Sequence, residues 1–416
     1  MLRHLREEFG FELEACHFDH QLRPESEADR DRVRAICESL GVECVTGEGD
    51  VRSVATRNRA SLEETARTMR YQFLAFVAGK EQCDAIATGH TADDQAETVL
   101  MRIVRGSGVR GIRGILPSSS VPGASSQRLL RPLLCLSRAE TVAICDEAGI
   151  EPLSDASNAD LSIARNRVRH ETLPALRALN PSIVAALRGL AASAREVFAG
   201  VEKESMAVQP RERTAIGAIF DSAPFAGLQD EARTLVIERE AAFYQLDPEV
   251  NRTRVENLRT MLRRGTGEVR FGDTVVEASS GRVRVGPQVE EAEPFEAKVL
   301  NVPGTTLAGL WRVDVGTEPL PPAPGALAAA IDARSIHGAL RVRSLNPADR
   351  MRFHGIERRA HDVLSNQKIP RWERPGAVAI ADSAHVLALF TAGGAIADAA
   401  TGDDCWHVRV SPAPAR

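Results

Sequence analysis

At 416 residues the chain is long enough for about three domains, which excludes a peptide or a lone small binding module. Its 43% hydrophobic and 26% charged residues are ordinary for a globular protein and exclude a disordered or fibrous chain. The formal net charge of −5 excludes a uniformly basic nucleic-acid binder and leaves local basic surfaces open.

The first 180 residues alternate between short β-type runs and helical patterns, which is typical of a parallel sheet wrapped by helices. Strands are predicted at 11–18, 42–46 and 84–88, and amphipathic helices at 26–40 and 62–77. Ser61 and Glu64 have the spacing of a capping box at the start of the second helix. We therefore predict an α/β domain with a doubly wound parallel sheet over residues 1–180.

The rest of the chain divides into a helical part and a strand-rich part. Residues 181–264 are rich in Ala, Leu and Arg, and period-two alternation around Ser280-Gly281 predicts a hairpin over 267–286. The Pro-rich segment 317–325 is the best candidate for a linker. We predict a mostly helical middle domain over 181–290 and a small α+β C-terminal domain over 326–416.

The segment from Gly89 to Thr98 lies where a strand gives way to a helix and combines a histidine with three acids. The four ionisable residues are His90, Asp93, Asp94 and Glu97. Ligands bind at the carboxyl edge of open α/β sheets, and clustered carboxylates suit Mg²⁺ or an amino group. The alternative is compensation of the helix macrodipole, because acids are favoured in any first helical turn.

Two further polar clusters follow the same logic. Asp19 and His20 come directly after the first predicted strand. A nucleotide-binding site and an ordinary exposed loop explain polar residues at this position equally well. Arg165 and Arg169 would share one helical face, and Asn166 and His170 another, which suits phosphate or carboxylate. Asp155 or Ser157 would cap that helix, and a solvated helix with polar caps is the alternative.

Two segments are locally basic although the whole chain is acidic. Residues 101–138 hold seven Arg and no acid, and residues 334–374 hold nine Arg and one Lys against four acids. Such strips attract polyanions with an affinity that depends on salt, and exposed arginines of no consequence are the alternative. Two basic faces far apart in the chain favour one large nucleic acid as the partner.

Cysteine usage and the N-terminus indicate where the protein works. The seven cysteines include no C-x-x-C pair, so neither a disulfide framework nor a zinc knuckle is indicated. No run of 18 uncharged apolar residues occurs, and the first residues lack the apolar core of a secretion signal. We expect a cytoplasmic protein without a membrane partner.

With these residues in view, the chain resembles the tRNA(Ile)-lysidine synthetases, a family of PP-loop ATPases. The resemblance spans nearly the whole sequence and rests on the order and spacing of several motifs. The motifs are Asp19-His20-Gln21-Leu22-Arg23, Glu64-Thr65-Ala66-Arg67, Gly89-His90, Asp93 to Thr98, Arg105-Gly106-Ser107-Gly108, Arg131-Pro132-Leu133-Leu134, Arg165 to His170 and, more loosely, Asn346 to Arg350 and Lys368 to Arg371.

The resemblance implies an enzyme that modifies the wobble cytidine of a tRNA-Ile with a CAU anticodon. In that family ATP adenylates the C2 oxygen of the base, the side-chain amine of L-lysine attacks C2, and AMP leaves, so that the anticodon reads AUA. ATP and Mg²⁺ are the implied cofactors, L-lysine and tRNA-Ile are the implied partners, and a homodimer is left open. Another PP-loop tRNA modifier, such as a thiolase, is the alternative enzyme.

The resemblance also assigns residues to roles. Asp94, Glu97 and Arg165 are the implied catalytic residues, with Asp94 also a metal ligand. His90, Asp93, Asp19 and His20 are implied nucleotide contacts. The implied contacts with lysine and tRNA are Arg105, Arg131, Asn166, Arg169, Arg350 and Lys368.

The sequence departs from the family at its start. The family opens with a strand and a Ser-Gly-Gly-x-Asp-Ser loop that cradles the ATP pyrophosphate, and this sequence has no such loop. Loss of a central strand would leave two unpaired edges in the sheet. We therefore expect a start codon assigned too far downstream, or a truncated chain that lacks activity; a catalytically inactive tRNA-binding protein is the alternative.

Overall fold

The computed structural model describes residues 1–23, 26–153, 160–289, 293–398 and 404–413, without the side chains of Ser125 and Ser126. The predicted caps Asp155 and Ser157 lie outside these residues. The chain divides into two compact units, Met1–Ala199 and Gly200–Arg416. No helix in the described part of the chain is both long enough and apolar enough to cross a membrane.

The first unit alternates strands and helices as the sequence predicts. Its elements are α1 (Leu2–Phe9), β1 (Ala15–Asp19), α2 (Ser26–Ser39), β2 (Cys44–Glu48), α3 (Val51–Asn58), α4 (Leu62–Lys80), β3 (Ala85–Ala87), α5 (Ala92–Val104), α6 (Val109–Ile112), β4 (Ser118–Val121), β5 (Ala124–Leu130), α7 (Arg138–Glu147), α8 (Ala164–Arg167), α9 (Leu173–Leu179) and the long α10 (Ile183–Ala207). The predicted helices at 26–40 and 62–77 are confirmed as α2 and α4.

The parallel pairing of this unit occurs in two sheets. β1 pairs with β2 in parallel, and β3 pairs in parallel with β5, which also pairs antiparallel with β4. Among the described residues these two sheets share no strand pairing. Tyr71 of α4 packs with Ile86 and Leu129 of the second sheet, and all three side chains are buried. Parallel strands covered by helices confirm the predicted α/β class.

A second apolar cluster fixes α5 in place. Ala96 and Val99 pack against Leu173, Leu187 and Ala191 from the helices that follow later in the chain. Helical spacing would continue the buried face of Ala96 and Val99 to Ile103. The structure leaves Ile103 43% exposed, because the packing ends one turn earlier.

The second unit begins with α10's last turns and a helical region that surrounds an antiparallel sheet. Its elements are β6 (Glu212–Thr214), β7 (Gly217–Asp221), α11 (Ser222–Gly227), α12 (Asp230–Phe243), α13 (Arg252–Arg264), β8 (Gly267–Phe271), β9 (Thr274–Ser279) and β10 (Arg282–Gly286), with the sheet order β6-β7-β10-β9-β8. The predicted hairpin is confirmed: Ser280 and Gly281 take positive φ values of 55° and 77° between β9 and β10. The middle region is helical as predicted, with a five-stranded sheet that the prediction reduced to its hairpin.

The remainder of the unit is rich in strands. Its elements are β11 (Lys298–Val299), β12 (Gly304–Ala308), β13 (Trp311–Gly316), β14 (Leu327–Asp332), β15 (Arg341–Ser344), β16 (Arg350–Phe353), β17 (Ile356–Arg359), α14 (Ala360–Asn366), β18 (Val378–Ala381), β19 (Val386–Thr391), β20 (Gly394–Ala397) and β21 (Cys405–Pro412). Strands β12, β13, β21 and β14 form one sheet, and the other strands form a seven-stranded sheet covered by α14.

The linker prediction at 317–325 is wrong. This segment joins β13 to β14, and both strands pair with β21 in the same four-stranded sheet. Proline-rich composition here marks a loop inside one sheet, because Pro resists strand pairing in either setting. The structure therefore connects residues 304–316 to the sheet of the C-terminal region.

Candidate functional site

The first turn of α5 is held by a reciprocal capping box. Asp94 N–H donates to Thr91 Oγ1 at 3.5 Å, and Asp94 Oδ2 accepts from Thr91 N–H at 2.8 Å and from Thr91 Oγ1 at 2.9 Å. This arrangement satisfies amides that the start of a helix leaves open. It fixes the Asp94 side chain at the carboxyl end of β3.

Asp94 and Glu97 meet two arginines that come about 70 residues later in the chain. Arg165 donates from Nε to Glu97 Oε2 at 2.8 Å and from Nη2 to Asp94 Oδ1 at 2.9 Å. Arg169 donates from Nε to Glu97 Oε1 at 2.7 Å and from Nη2 to Glu97 Oε2 at 3.0 Å. We call these four residues the acid–arginine cluster.

The two arginines lie four residues apart on a helical stretch that contains one π turn. α8 ends at Arg167, residues Val168–Thr172 form the π turn, and α9 continues from Leu173. Pro174 has no N–H to donate, and Leu173 N–H reaches back to Val168 O. Arg165 and Arg169 therefore lie on one face, as their spacing predicts.

The cluster differs sharply from an open acidic pocket. Glu97 is fully buried, and the Asp94 side chain is 14% exposed. Burial alone would raise the pKa of Asp94, but hydrogen bonds from Thr91 and the charge of Arg165 together hold that pKa below its usual value. Hydrogen bonds to Glu97 raise the pKa of Arg169. Asp94 is therefore ionised, and both acids are partnered by arginine.

His90 adjoins this cluster and is neutral at physiological pH. Its Nδ1 lies 2.9 Å from Thr88 Oγ1. Burial, together with the charges of Arg131, Arg165 and Arg67, lowers the pKa of His90 to about 4 against the opposing charge of Asp94. A neutral imidazole surrounded by arginines is a suitable neighbour for a phosphate group.

Asp93 makes a separate set of contacts. Its Oδ2 accepts from Arg138 N–H at 2.7 Å, and its Oδ1 accepts from Arg177 Nη2 at 2.7 Å. Arg138 also approaches Asp94 Oδ1 at 3.6 Å. Asp93 therefore ties α5 to the start of α7 and to α9.

The other predicted nucleotide contacts lie at the end of β1, with Asp19 as its last residue and His20 directly after it. Asp19 is buried, and its Oδ1 accepts from Gln21 N–H at 2.8 Å, where Gln21 has a positive φ of 52°. The rings of His20 and Phe18 meet edge to face at 5.1 Å.

Asn166, a predicted contact of lysine or tRNA, lies on α8 and is buried. Its Nδ2 donates to Asp160 O at 2.9 Å, so its side chain is bonded to the nearby backbone.

The basic strip at 101–138 is partly used to close its own loop. Arg102 donates from Nη1 to Gly114 O at 2.8 Å, and Arg113 lies over the Phe198 ring at 3.7 Å. Arg131 is buried and donates from Nη1 to Leu116 O at 2.7 Å. Arg105 is exposed at the end of α5. Of the strip's predicted contacts, Arg105 is the more accessible one.

The predicted contacts of the C-terminal strip are exposed. Arg350 pairs with Glu357 across the β16–β17 hairpin and remains about half exposed. Lys368 follows α14 with a φ of 58°. Arg352, Arg358 and Arg359 are exposed on the same hairpin. This surface stays available to a polyanion.

Comparison with known proteins identifies the family. A family model described as a PP-loop domain matches residues 1–176. The tRNA(Ile)-lysidine synthase of Symbiobacterium thermophilum is 31% identical over 413 residues, covering 88% of this chain and 80% of that protein. The chain belongs to the tRNA(Ile)-lysidine synthase family.

Other relatives match mainly the first unit. The tRNA(Ile)-lysidine synthase of Dehalococcoides mccartyi is 42% identical over 186 residues, covering 44% of this chain and 39% of that protein. That of Novosphingobium aromaticivorans is 43% identical over 176 residues, covering 42% and 50% respectively. The matches span half or less of these two relatives. Among solved structures, the U34-tRNA thiolase NcsA from Methanococcus maripaludis aligns at a TM-score of 0.38 and 16% identity over 46% of this chain and 66% of that chain.

The lysidine synthase family and its PP-loop domain imply use of ATP. The residues of the site suit the phosphate groups of ATP but do not suit a magnesium ion. Arg67, Arg131 and Arg165 around His90 form a cationic setting that suits phosphate groups. Asp94 already has bonds on both oxygens, and the described residues contain no group of three or more His, Cys, Asp or Glu side chains arranged to hold a metal. In this arrangement the residues around Asp94 do not fit a magnesium ion. The role of Asp94 as a metal ligand stays a prediction.

Three residues that shape this site carry no predicted role in ligand binding. Thr91 caps α5, and Arg138 and Arg177 hold Asp93. The Thr91–Asp94 spacing is itself the signal of a capping box and was available in the sequence. Contacts such as Arg177 with Asp93, 84 positions apart, have no local signal.

Proposed function

We propose that the chain is an ATP-dependent ligase that joins L-lysine to C2 of the wobble cytidine in a tRNA-Ile with a CAU anticodon. The reaction forms lysidine and changes the codon read from AUG to AUA. The observation that carries the proposal is the convergence of Asp94 and Glu97 with Arg165 and Arg169. These pairs join motifs that are far apart in the sequence and that the family resemblance names together.

The cluster supplies charges suited to the two chemical steps. In the first step the C2 oxygen of cytosine attacks the α-phosphorus of ATP and pyrophosphate leaves. In the second the lysine ε-amine attacks C2, a proton is lost, and AMP leaves with the C2 oxygen. Arg165 would stabilise negative charge on the phosphate, a role supported by its guanidinium being 29% exposed beside the buried Glu97.

Lysine binding requires the acids to exchange a partner. The carboxylate of Asp94 is ionised, which suits an ammonium group, but Arg165 occupies Oδ1 in this structure. We propose that lysine takes the place of Arg165 at Asp94, while Glu97 stays bound to Arg169. The released guanidinium of Arg165 then faces the phosphate or the lysine carboxylate.

Lysidine formation tests the proposal directly. The full chain is incubated with ATP, labelled lysine and a CAU-anticodon tRNA-Ile transcript, and labelled RNA is measured. Asp94→Asn and Glu97→Gln are each expected to reduce the rate by about 100-fold or more, because charge at the reacting centre is lost. Glu63→Gln, an exposed acid in the first turn of α4, is the matched control and should keep the wild-type rate.

A second candidate is a tRNA-binding protein without ligase activity. The specific observation in its favour is that Asp94 and Glu97 are already neutralised by arginines. In that case wild type and both variants form no lysidine, and all three bind the same tRNA with equal affinity. Labelled lysine in the RNA of the wild-type reaction excludes this candidate.

A further inference from the structure

A cavity of about 780 Å³ lies within the first unit between the N-terminal part of α5, the end of β5 and α10. Its polar lining includes Arg131, Arg188, Arg195 and Gln95. No Asp or Glu occurs among the described residues that line it. A cavity of this size is large enough for a drug-sized ligand, and its charge favours an anion.

The arginines of the cavity have capacity for a ligand. Arg131 Nε is buried and has no hydrogen-bond partner within the part of the chain that the structure describes. Arg195 donates from Nη1 to Arg113 O at 3.3 Å, a long bond that leaves its other N–H groups available. Buried polar groups in proteins are ordinarily satisfied, so the Arg131 Nε atom indicates a missing acceptor.

The walls of the cavity are apolar and include rigid side chains. They are formed by Pro117, Leu130, Pro132, Leu134, Ala185 and Ala192. Apolar walls beside guanidinium groups suit an aromatic ring that carries a phosphate, because a base stacks on guanidinium planes and on flat apolar surfaces. A nucleotide has this combination of properties.

The cavity adjoins the acid–arginine cluster but lies on a different side of α5. The Gln95 side chain is directed to the loop before β4, where its Oε1 accepts from Ile115 N–H at 2.6 Å. Asp94 and Glu97 are directed to Arg165 instead. Arg131 is common to both places, because it lines the cavity and its charge acts on His90.

We propose that this cavity holds an unstacked nucleotide of the bound RNA other than the nucleotide that reacts. The proposal rests on the proposed function, since it assigns a second RNA contact beside the same site. RNA with splayed bases is recognised by stacking and by phosphate contacts of this kind. Holding a neighbour of the target base would fix the register of the RNA strand.

Binding measurements on the full chain test the cavity separately from catalysis. The probe is a fluorescent anticodon stem-loop of the CAU-anticodon tRNA, and its dissociation constant is measured by anisotropy at fixed salt. Arg188→Glu and Arg195→Glu reverse two cavity charges, while Ala192→Phe narrows the cavity without changing charge. Lys203→Glu is the control, because Lys203 is exposed on the same helix and does not line the cavity.

We expect Arg188→Glu, Arg195→Glu and Ala192→Phe each to weaken stem-loop binding about tenfold, a loss typical of one stacked base. Lys203→Glu should change it by less than about twofold. The stem-loop should also slow alkylation of Cys135, an exposed thiol of the cavity, as followed by mass spectrometry. ATP binding and the melting temperature should stay at wild-type values in all four variants.

Three outcomes would overturn the proposal. If the charge reversals act no more strongly than Lys203→Glu, the cavity does not contact RNA. If only the charge reversals act and Ala192→Phe binds normally, the arginines form an open electrostatic surface and no nucleotide enters. If free AMP or CMP protects Cys135 and the stem-loop does not, the cavity is a site for mononucleotides. Absence of lysidine formation by wild type would refute the ligase proposal and leave these binding results interpretable.

Discussion

Glu97 is the residue whose surroundings decide most about the site. Its side chain is fully buried, and three hydrogen bonds from two guanidinium groups compensate its charge. Loss of one partner from a buried ion pair is costly, because the remaining charge stays desolvated. Asp93 is the useful contrast, since its partner Arg177 is 48% exposed and its ion pair is accessible to solvent.

These two ion pairs predict different costs for the loss of an arginine. Arg169→Ala should lower the free energy of unfolding by about 2 to 3 kcal/mol, because Glu97 keeps only Arg165 as a partner. Arg177→Ala should lower it by at most about 1 kcal/mol, since water replaces the exposed partner. Urea denaturation followed by circular dichroism measures both, and equal costs would contradict the burial argument.

His90 predicts a pH dependence with a definite sign. Its pKa of about 4 in the folded chain lies below the ordinary value of 6.5, so the unfolded chain binds more protons between these values. The contribution of neutral His90 to stability is therefore complete above pH 6.5 and is lost as the pH falls to 4. Nuclear magnetic resonance titration of the imidazole measures the midpoint directly.

The matched comparison for this titration is a variant that cannot titrate. Wild type should lose stability relative to His90→Asn as the pH falls from 6.5 to 4, and the difference should be constant above pH 7. An imidazole midpoint near 6.5 would show that His90 is not desolvated in the folded chain.

At the scale of elements, turns and caps fix where the functional side chains begin. The capping box of Thr91 and Asp94 starts α5, and the Ser280-Gly281 turn sets the register of β9 and β10, in which Val283 faces Ala278. Ser61 caps α4 through Glu64 N–H at 3.2 Å, which confirms one of the two bonds predicted for that capping box. These local features were readable because they depend on residues close in sequence.

Alanine substitutions at a glycine of the hairpin turn and at a glycine of α10 should have opposite effects on stability. Gly281→Ala should destabilise the chain by about 1 kcal/mol or more, because a φ of 77° is unfavourable for a residue with a Cβ atom. Gly200→Ala, in the interior of α10 with no atom within 4 Å of the added methyl, should stabilise it by about 0.5 to 1 kcal/mol. Thermal denaturation of the two variants compares them, and a shift in the same direction for both would refute the argument.

At the scale of the whole molecule, a net charge of −5 coexists with surfaces that suit RNA. Arg105 and Lys368 are exposed in the two strips, and Arg350 remains half exposed despite its ion pair. Other arginines of the strips are engaged inside the protein, such as Arg343 with Asp349 at 2.6 Å. The count of basic residues in a segment therefore overstates the charge that a polyanion meets.

The exposed charges predict the salt dependence of tRNA binding. Arg105→Ala and Lys368→Ala should each weaken binding and reduce the slope of log K against log salt by about 0.7 to 0.9, the value for one phosphate contact. Arg252→Ala is the control, because Arg252 is 93% exposed, lies outside both strips and pairs with Glu256 on its own helix. A slope unchanged in the first two variants would remove those residues from the interface.

The sequence predicts the helices and the residues that meet at the site. It does not predict that the acids of the site are buried and paired with arginines. Periodicity predicts α2 and α4, and the spacing of Arg165 and Arg169 predicts their common face, because both depend on local geometry. Burial of Glu97 depends on arginines from a distant segment, so no local pattern in the sequence indicates it. Composition likewise could not distinguish a linker from the loop at 317–325, since both favour proline and glycine.

The π turn at Val168–Thr172 bears on how the acids could be released. The backbone hydrogen bonds of a π turn span one residue more than those of an α-helix, so this stretch is less regular than the helices on either side. A slip of one residue along the axis turns the preceding side chains by about 100°, which would carry the guanidinium of Arg165 away from Asp94 while the apolar contact of Leu173 holds. The same stretch that closes the site would thus open it only by giving up the packing of Val168 against the apolar cluster of Ala96 and Leu173.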